Sequence, residues 1–172
     1  MKFLKWPLVV AAVVGGLLVV WVRMPRSCFY GESGPTALGQ ATNRAMAWWS
    51  GTGLPPRRQV ALEIRGRKSG QLRELPVVVA TVGGERYLVS MLGQEASWVA
   101  NARAGGEAFL RHGQREAIRL EEVLGPERAP VLKEYLRLAP GARPFIPVPL
   151  DAPEEEFATV ADSYPVFRVV GA

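Results

Sequence analysis

Cysteine and histidine are almost missing from this chain, which has one of each in 172 residues, Cys28 and His112. A lone cysteine excludes an intramolecular disulfide and any thiolate metal cluster. Cys28 therefore reads as structural, and Pro25, Arg26 and Ser27 before it lack the small and aliphatic residues that lipoprotein processing needs. His112 has no second histidine and no carboxylate at helical spacing to share a metal with, so no metal site is expected. It stands in Arg111-His112-Gly113-Gln114, which reads as an exposed hairpin turn. Also missing is any run of basic residues interleaved with aromatics, which argues against a nucleic-acid partner. Acidic residues are the scarcer charge, 16 against 21 Lys and Arg, and the net charge of +5 favours anionic partners such as phosphates or lipid headgroups. At 48% hydrophobic and 22% charged, a chain of this length holds one domain with a proper core and is too short for two sizeable ones.

What is present begins with an unbroken apolar run at 6–22, with Lys2 and Lys5 before it and Arg23 and Arg26 after it. Trp6 and Trp21 stand at its ends, where interfacial aromatics belong, and the flanking cations can snorkel to extend its reach. The run is long for a signal peptide, and no small-x-small cleavage site follows it, so the expectation is a retained single-pass transmembrane helix. The flanking charges nearly balance and set no orientation. The domain plan is an anchor at 1–24, a tether rich in Pro, Gly and Ser at 25–35, and a folded domain at 36–172.

The folded domain is organised around 59–79. Val60, Leu62 and Ile64 alternate with Gln59, Glu63 and Arg65, the period of a strand with one face in a core. Gly66 and Gly70 then bracket Arg67, Lys68 and Ser69, and a second apolar run follows at Leu75 and 77–79. This is a hairpin with a cationic tip. Its N–H groups, the Ser69 hydroxyl and the side chains of Arg65, Arg67, Lys68 and Arg73 can converge on one anion, with the arginines gripping bidentately. On spacing alone, a solvated basic turn is an equal alternative.

Around this hairpin, Thr36 is placed to cap a helix reaching Trp49, with Leu38, Ala41, Ala45 and Trp49 on one face. Trp48 and Trp49 are expected to close the barrel or pack on a membrane surface; alternatively one walls a flat aromatic pocket. Gly83-Gly84 is a two-residue turn into a third strand at 85–91. Ser97 is placed to cap a short helix through Arg103, stopped by Gly105-Gly106, with Trp98 and Asn101 one turn apart. A hairpin at 109–111 and 116–123, a helix at 125–138 burying Leu132, Tyr135 and Leu136, and a last strand at 163–170 complete the domain. The proline-rich loop at 144–150 is expected either as a lid or as a lipid-touching surface.

Gly66-Arg67-Lys68-Ser69-Gly70, then Arg73, Pro76, Gly93, Trp98 and Asn101, resembles the deazaflavin (coenzyme F-420)-dependent nitroreductase and quinone reductase family, in order and spacing from about Asn43 to about Leu138. The resemblance implies an α+β fold, a split β-barrel of the flavin-reductase (FMN-binding) type with short helices. It implies an oxidoreductase that passes a hydride from the reduced deazaflavin to a quinone, a nitroaromatic or a similar acceptor. The coenzyme carries a phosphate and a glutamate tail, which match the cationic tip. Carried over residue by residue, the resemblance assigns cofactor binding to Arg67, Lys68, Ser69, Gly70, Arg73, Pro76, Ser90, Met91, Gly93, Trp98 and Asn101. No tyrosine lies in 139–150, where relatives place substrate-covering tyrosines, leaving Tyr135, Tyr164 and Ser90 as catalytic candidates. The alternatives are an FMN-dependent reductase of the same fold, or a non-catalytic barrel that binds a cofactor or lipid. A lipid-dissolved quinone suits a membrane anchor, a cytoplasm-facing domain suits a coenzyme made inside the cell, and barrels of this type often form homodimers.

Overall fold

The computed structural model describes residues 28–31 and 34–172. The expected anchor at 6–22 lies outside the described residues, and among these no helix is long and apolar enough to cross a membrane. The chain divides into two compact units, residues 1–42 and 43–172, and the second contains the barrel.

Six antiparallel strands close the barrel: β1 (Gln59–Arg65), β2 (Leu72–Val82), β3 (Glu85–Val89), β4 (Ala108–His112), β5 (Gln114–Val123) and β6 (Val166–Gly171), in spatial order β1-β2-β3-β6-β5-β4. Among the described residues four α-helices accompany them: α1 (Ala37–Gly51), α2 (Ser97–Arg103), α3 (Arg128–Leu138) and α4 (Glu154–Val160). The hydrophobic alternation read from the sequence is the alternation that folds. Leu62 and Ile64 of β1, Leu88 of β3, Ile118 of β5 and Phe167 of β6 fill the barrel interior, joined by Val99 and Ala102 of α2. Burial of each large side chain contributes roughly 1.5–3 kcal/mol.

A second core lies on the outer face of β2 and β3. There Leu132, Tyr135 and Leu136 of α3 and Phe157 of α4 pack over Ala80, with Val78 and Val82 at the edge. This explains why β2 reads as an almost continuous apolar run: Val77 and Val79 serve the inner core, and Val78 and Ala80 the outer one.

Several expectations are corrected here. Thr36 does cap α1, its Oγ1 accepting from Gly39 N at 3.1 Å. Trp48 and Trp49, however, are 65% and 43% exposed and do not close the barrel; α2 does, through Val99 and Ala102. Ser97 is the first residue of α2 rather than its cap, a position held by Ala96 without a side-chain bond. His112 is half-buried, its Nδ1 3.4 Å from the Ser50 carbonyl, because the β4–β5 turn is reduced to Gly113 and pulls the ring against the end of α1. The loop at 144–150 is neither a free lid nor a free apolar surface, since Ile146 and Val148 are buried beside α3 while the prolines face outward. The acidic stretch after it forms α4, which has Glu154, Glu155 and Glu156 in its first turn, where they favour the positive end of the helix dipole.

Candidate functional site

The hairpin tip is held from within. Gly66 N donates to Gln71 O and Gly70 N to Gly66 O, both at 2.8 Å, and Gly70 takes a φ of +65° that side chains rarely adopt. A Cβ on Gly66 would lie 2.9 Å from Ser69 Oγ and 3.9 Å from Arg73 Cγ, so glycine lets the Ser69 hydroxyl and the Arg73 stem close over the turn. The Ser69 hydroxyl accepts from Gln71 N at 3.4 Å.

The tip is also held from outside by α2. Asn101, 6% exposed, accepts from Arg67 N at 3.1 Å and from Arg67 Nη1 at 3.3 Å through the same Oδ1. Gly106 lets the chain after α2 approach, since a Cβ there would meet Arg65 O at 2.8 Å. Arg65 is occupied, with Glu107 at 2.5 Å and the Gly70 carbonyl at 2.5 Å, and so does not join the other cations as the sequence suggested.

Lys68 and Arg73 are different. Both are exposed, and among the described residues neither has an ion pair or a hydrogen bond. The backbone N–H groups of Lys68 and Ser69 likewise form no internal hydrogen bond. Lys68 and the two amides stand on one hydrogen-bonded turn and Arg73 on the strand that leaves it, groups of the type that can hold an anion.

The site opens along β2. The bond from Val79 N to Arg58 O at 2.8 Å sets the parity of the β1–β2 ladder, so Arg73, Leu75 and Val77 turn their backbone groups to β1 while Glu74 and Pro76 turn theirs away. On that far side β3 reaches only Val79, paired with Leu88. Pro76, which has no N–H to give, therefore sits where no ladder bond is lost. Over this stretch β2 is paired with β1 on one side alone. Arg73 shares a face with Ile64, its register partner, and so stands on the interior side of the sheet at the mouth.

The predicted ring-proximal residues form a second turn, after β3. Ser90 is 1% exposed; its N donates to Pro165 O at 2.9 Å and its hydroxyl to Gly93 O at 2.8 Å. Gly93, at φ +78°, lies against Ser163, whose carbonyl would be 3.2 Å from an added Cβ. Met91 is half-buried beside the outer core. Trp98 is half-buried and tilted against Phe167, with ring centroids 5.3 Å apart, and so belongs to the inner core. The helix α2 thus links the two turns, with Ala96 and Trp98 near one and Asn101 on the other.

The three catalytic candidates each lie in packed or hydrogen-bonded surroundings. Tyr135 is 5% exposed within the outer core. Tyr164 donates to the Phe145 carbonyl at 2.5 Å, and burial raises its phenol above the ordinary value. The Ser90 hydroxyl proton is directed at Gly93. Each is occupied by packing or turn geometry, which spacing could not reveal.

Sequence reasoning missed the polar brace behind the Gly93 turn. Gln94 donates to the Asp162 carbonyl at 2.6 Å and accepts from Arg103 Nη2 at 2.6 Å, and Arg103 holds Glu122 at 2.8 and 2.6 Å. Arg128, largely buried, reaches the Asp162 carboxylate. The hydrogen bond from Arg103 keeps the Glu122 carboxyl below the usual carboxylate range. No local signal pointed to this brace, because its members are scattered over four elements. A groove lined by Leu110, His112, Gln114 and Arg115 lies at the β4–β5 turn, the opposite end of the barrel from the tip, since Ala61 faces Arg111 while Ile64 faces Ala108.

A family model described as F420H(2)-dependent quinone reductase matches residues 39–142. No curated protein matches the chain. Among solved structures, an F420-H2 dependent reductase is 26% identical over 66% of this chain and 94% of its own, with a TM-score of 0.43. A heme binding protein from Mycobacterium smegmatis is 15% identical over 79% of this chain and 51% of its own, TM-score 0.45. A FAD-binding protein from Mesorhizobium loti is 16% identical over 80% of this chain and 90% of its own, TM-score 0.44.

Proposed function

Because the chain belongs to the F420H(2)-dependent quinone reductase family, and is therefore an oxidoreductase that uses coenzyme F-420, we propose that it reduces a lipid-dissolved quinone with the reduced coenzyme seated between the hairpin tip and the Gly93 turn. The observation that carries this reading is the unpaired pair Lys68 and Arg73, ordered beside two unused amide donors on a turn fixed by Asn101.

The residues present suit the group. Lys68, Arg73 and the N–H groups of Lys68 and Ser69 would hold its phosphate, with Arg67 kept in place by Asn101. Trp98 and the Ser90 to Gly93 turn would border the ring. When bound, the coenzyme supplies two electrons and a proton as hydride. The chain's part is to orient that donor and to exclude water from one face of it. Reduction of a quinone to a hydroquinone needs one further proton. With the Ser90 and Tyr164 hydroxyls already directed at carbonyls, that proton comes from solvent at the open edge of β2. In the same proposal the apolar run at 6–22 tethers the domain to the cytoplasmic face of a membrane, where quinones are dissolved.

The test is titration of the full chain in detergent with oxidised coenzyme F-420 and with flavin mononucleotide, followed by oxidation of the reduced coenzyme on adding a quinone. A charge-assisted contact contributes about 1.5–3 kcal/mol, so Lys68→Ala and Arg73→Ala should each weaken coenzyme binding about tenfold. Preference for flavin mononucleotide, or binding indifferent to both substitutions, would sink the proposal.

A further inference from the structure

The end of α1 and the turn after it carry a feature that the reductase site does not use. Trp48, Trp49 and Leu54 are 65%, 43% and 74% exposed, three large apolar side chains within seven positions. Arg44 precedes Trp48 by one helical turn, and Arg57 and Arg58 follow Leu54. There is no acidic residue between positions 33 and 62. Arg86, Arg103 and Arg115 elsewhere each have a carboxylate partner; Arg44, Arg57 and Arg58 have none among the described residues.

Hydrogen bonds tie this surface to the barrel. Thr52 binds the Trp49 carbonyl through both N, at 3.1 Å, and Oγ1, at 2.7 Å, and the same oxygen accepts from Leu54 N at 3.3 Å, folding Leu54 back toward the helix end. Gly113 N donates to Gly51 O at 2.8 Å, and Gln59 Nε2 to Ser50 Oγ at 3.2 Å, fastening the helix end to the β4–β5 turn and to β1. The exposed apolar side chains thus stand on a hydrogen-bonded backbone.

We propose that Arg44, Trp48, Trp49, Leu54, Arg57 and Arg58 form a docking face for the surface of an anionic lipid bilayer, a contact made by the folded domain and independent of residues 6–22. Tryptophan is the side chain whose apolar body and polar N–H suit the headgroup boundary. Unpaired arginines with long stems meet lipid phosphates there while their charges stay wet. A second copy of the chain is the poorer occupant, because a self-complementary contact between two such faces brings six unneutralised arginines together. The contact would set the orientation of the barrel over the membrane without altering coenzyme binding, so its failure is separable from failure of the reductase reading.

The experiment places an environment-sensitive fluorophore at position 54 of the full chain, as Leu54→Cys in a Cys28→Ser background, with Leu124→Cys as a second labelling site; Leu124 is 73% exposed and remote in sequence. The labelled chains are reconstituted in vesicles of phosphatidylcholine alone or mixed with phosphatidylglycerol. The expected result is apolar emission from position 54 in the mixed vesicles only, weakening at high salt, with position 124 aqueous in both. Charge reversal by Arg44→Glu, Arg57→Glu and Arg58→Glu together should weaken docking about a hundredfold, at about fivefold per arginine, with coenzyme binding retained as proof of folding. Aqueous emission from position 54 in both vesicles would overturn the proposal, as would indifference to the charge reversal. So would concentration-dependent shielding of position 54 without lipid, which would identify a second copy as the occupant.

Discussion

Asn101→Ala is the substitution that most directly tests whether α2 sets the shape of the anion site. The side chain makes two bonds through one oxygen, to Arg67 N at 3.1 Å and to Arg67 Nη1 at 3.3 Å. A neutral hydrogen bond contributes about 0.5–1.5 kcal/mol and a charge-assisted one about 1.5–3 kcal/mol. Arg67 is exposed, so water replaces part of what its guanidinium loses, and the second bond belongs at or below the low end of its range. The total is about 2 kcal/mol, which in a chain of this size lowers Tm by about 4–8 °C. Thermal melting measures that loss, and fluorescence titration with oxidised coenzyme measures the site, where freeing the Arg67 end of the turn should weaken binding about tenfold. Asn101→Asp separates the two effects. It keeps the acceptor oxygen, so Tm stays close to the parent, yet it sets a negative charge beside the turn and should weaken coenzyme binding at least as much as alanine does. If Asn101→Ala melts early but binds the coenzyme as the parent does, or if Asn101→Asp binds normally, the tip is not the anion site and the reasoning fails.

Three further outcomes follow from the same geometry. Gly106→Ala places a Cβ 2.8 Å from the Arg65 carbonyl and 3.2 Å from the Asn101 carbonyl, both backbone, so the loop must move; a loss of about 1–3 kcal/mol in denaturant unfolding is expected, together with weaker coenzyme binding. Tyr164→Phe removes the donor to the Phe145 carbonyl and should cost about 1 kcal/mol at neutral pH. Burial raises the Tyr164 phenol above its ordinary value near 10, so the folded state holds that proton longer than the unfolded one; the parent should lose stability as pH rises beyond that value, by more than Tyr164→Phe does, in melts followed from pH 9 to 12. Glu122, held below the usual carboxylate range by its bond from Arg103, contributes stability that is present above about pH 4.5 and is lost as pH falls through its lowered value. Glu122→Gln should flatten that acid limb by no more than about 1 kcal/mol, because Arg103 is 40% exposed.

Local order in the chain was legible because its causes are local. Alternation at Val60, Leu62 and Ile64 specifies a half-buried strand, and Gly66 and Gly70 specify a turn. The cofactor class was legible for a related reason: the Gly66 to Gly70 motif, with Arg73, Trp98 and Asn101 at their spacings, is a sequence pattern that the family match at 39–142 bears out. The roles of single residues were not legible. Trp48 and Trp49 read equally as barrel closure or as a surface pair and lie outside; Tyr135 reads both as a buried helix residue and as a catalytic candidate, and lies inside. Tyr164 and Ser90 offer hydroxyls on paper, but the Tyr164 hydroxyl donates to the Phe145 carbonyl across the fold and the Ser90 hydroxyl to the Gly93 carbonyl of its own turn.

The sequence by itself determined the strands, the turns, the cationic tip and the family, since each depends on side-chain period, backbone freedom or a short pattern. Only the tertiary structure decided which cations are free. Arg65 is neutralised by Glu107, 42 positions away, and Arg67 is steered by Asn101, 34 positions away, while Lys68 and Arg73 meet no partner among the described residues. Such pairings are set by the register of β1 on β2 and β4 and by the approach of the chain at Gly106, and register is a property of the closed barrel that no stretch of sequence carries alone.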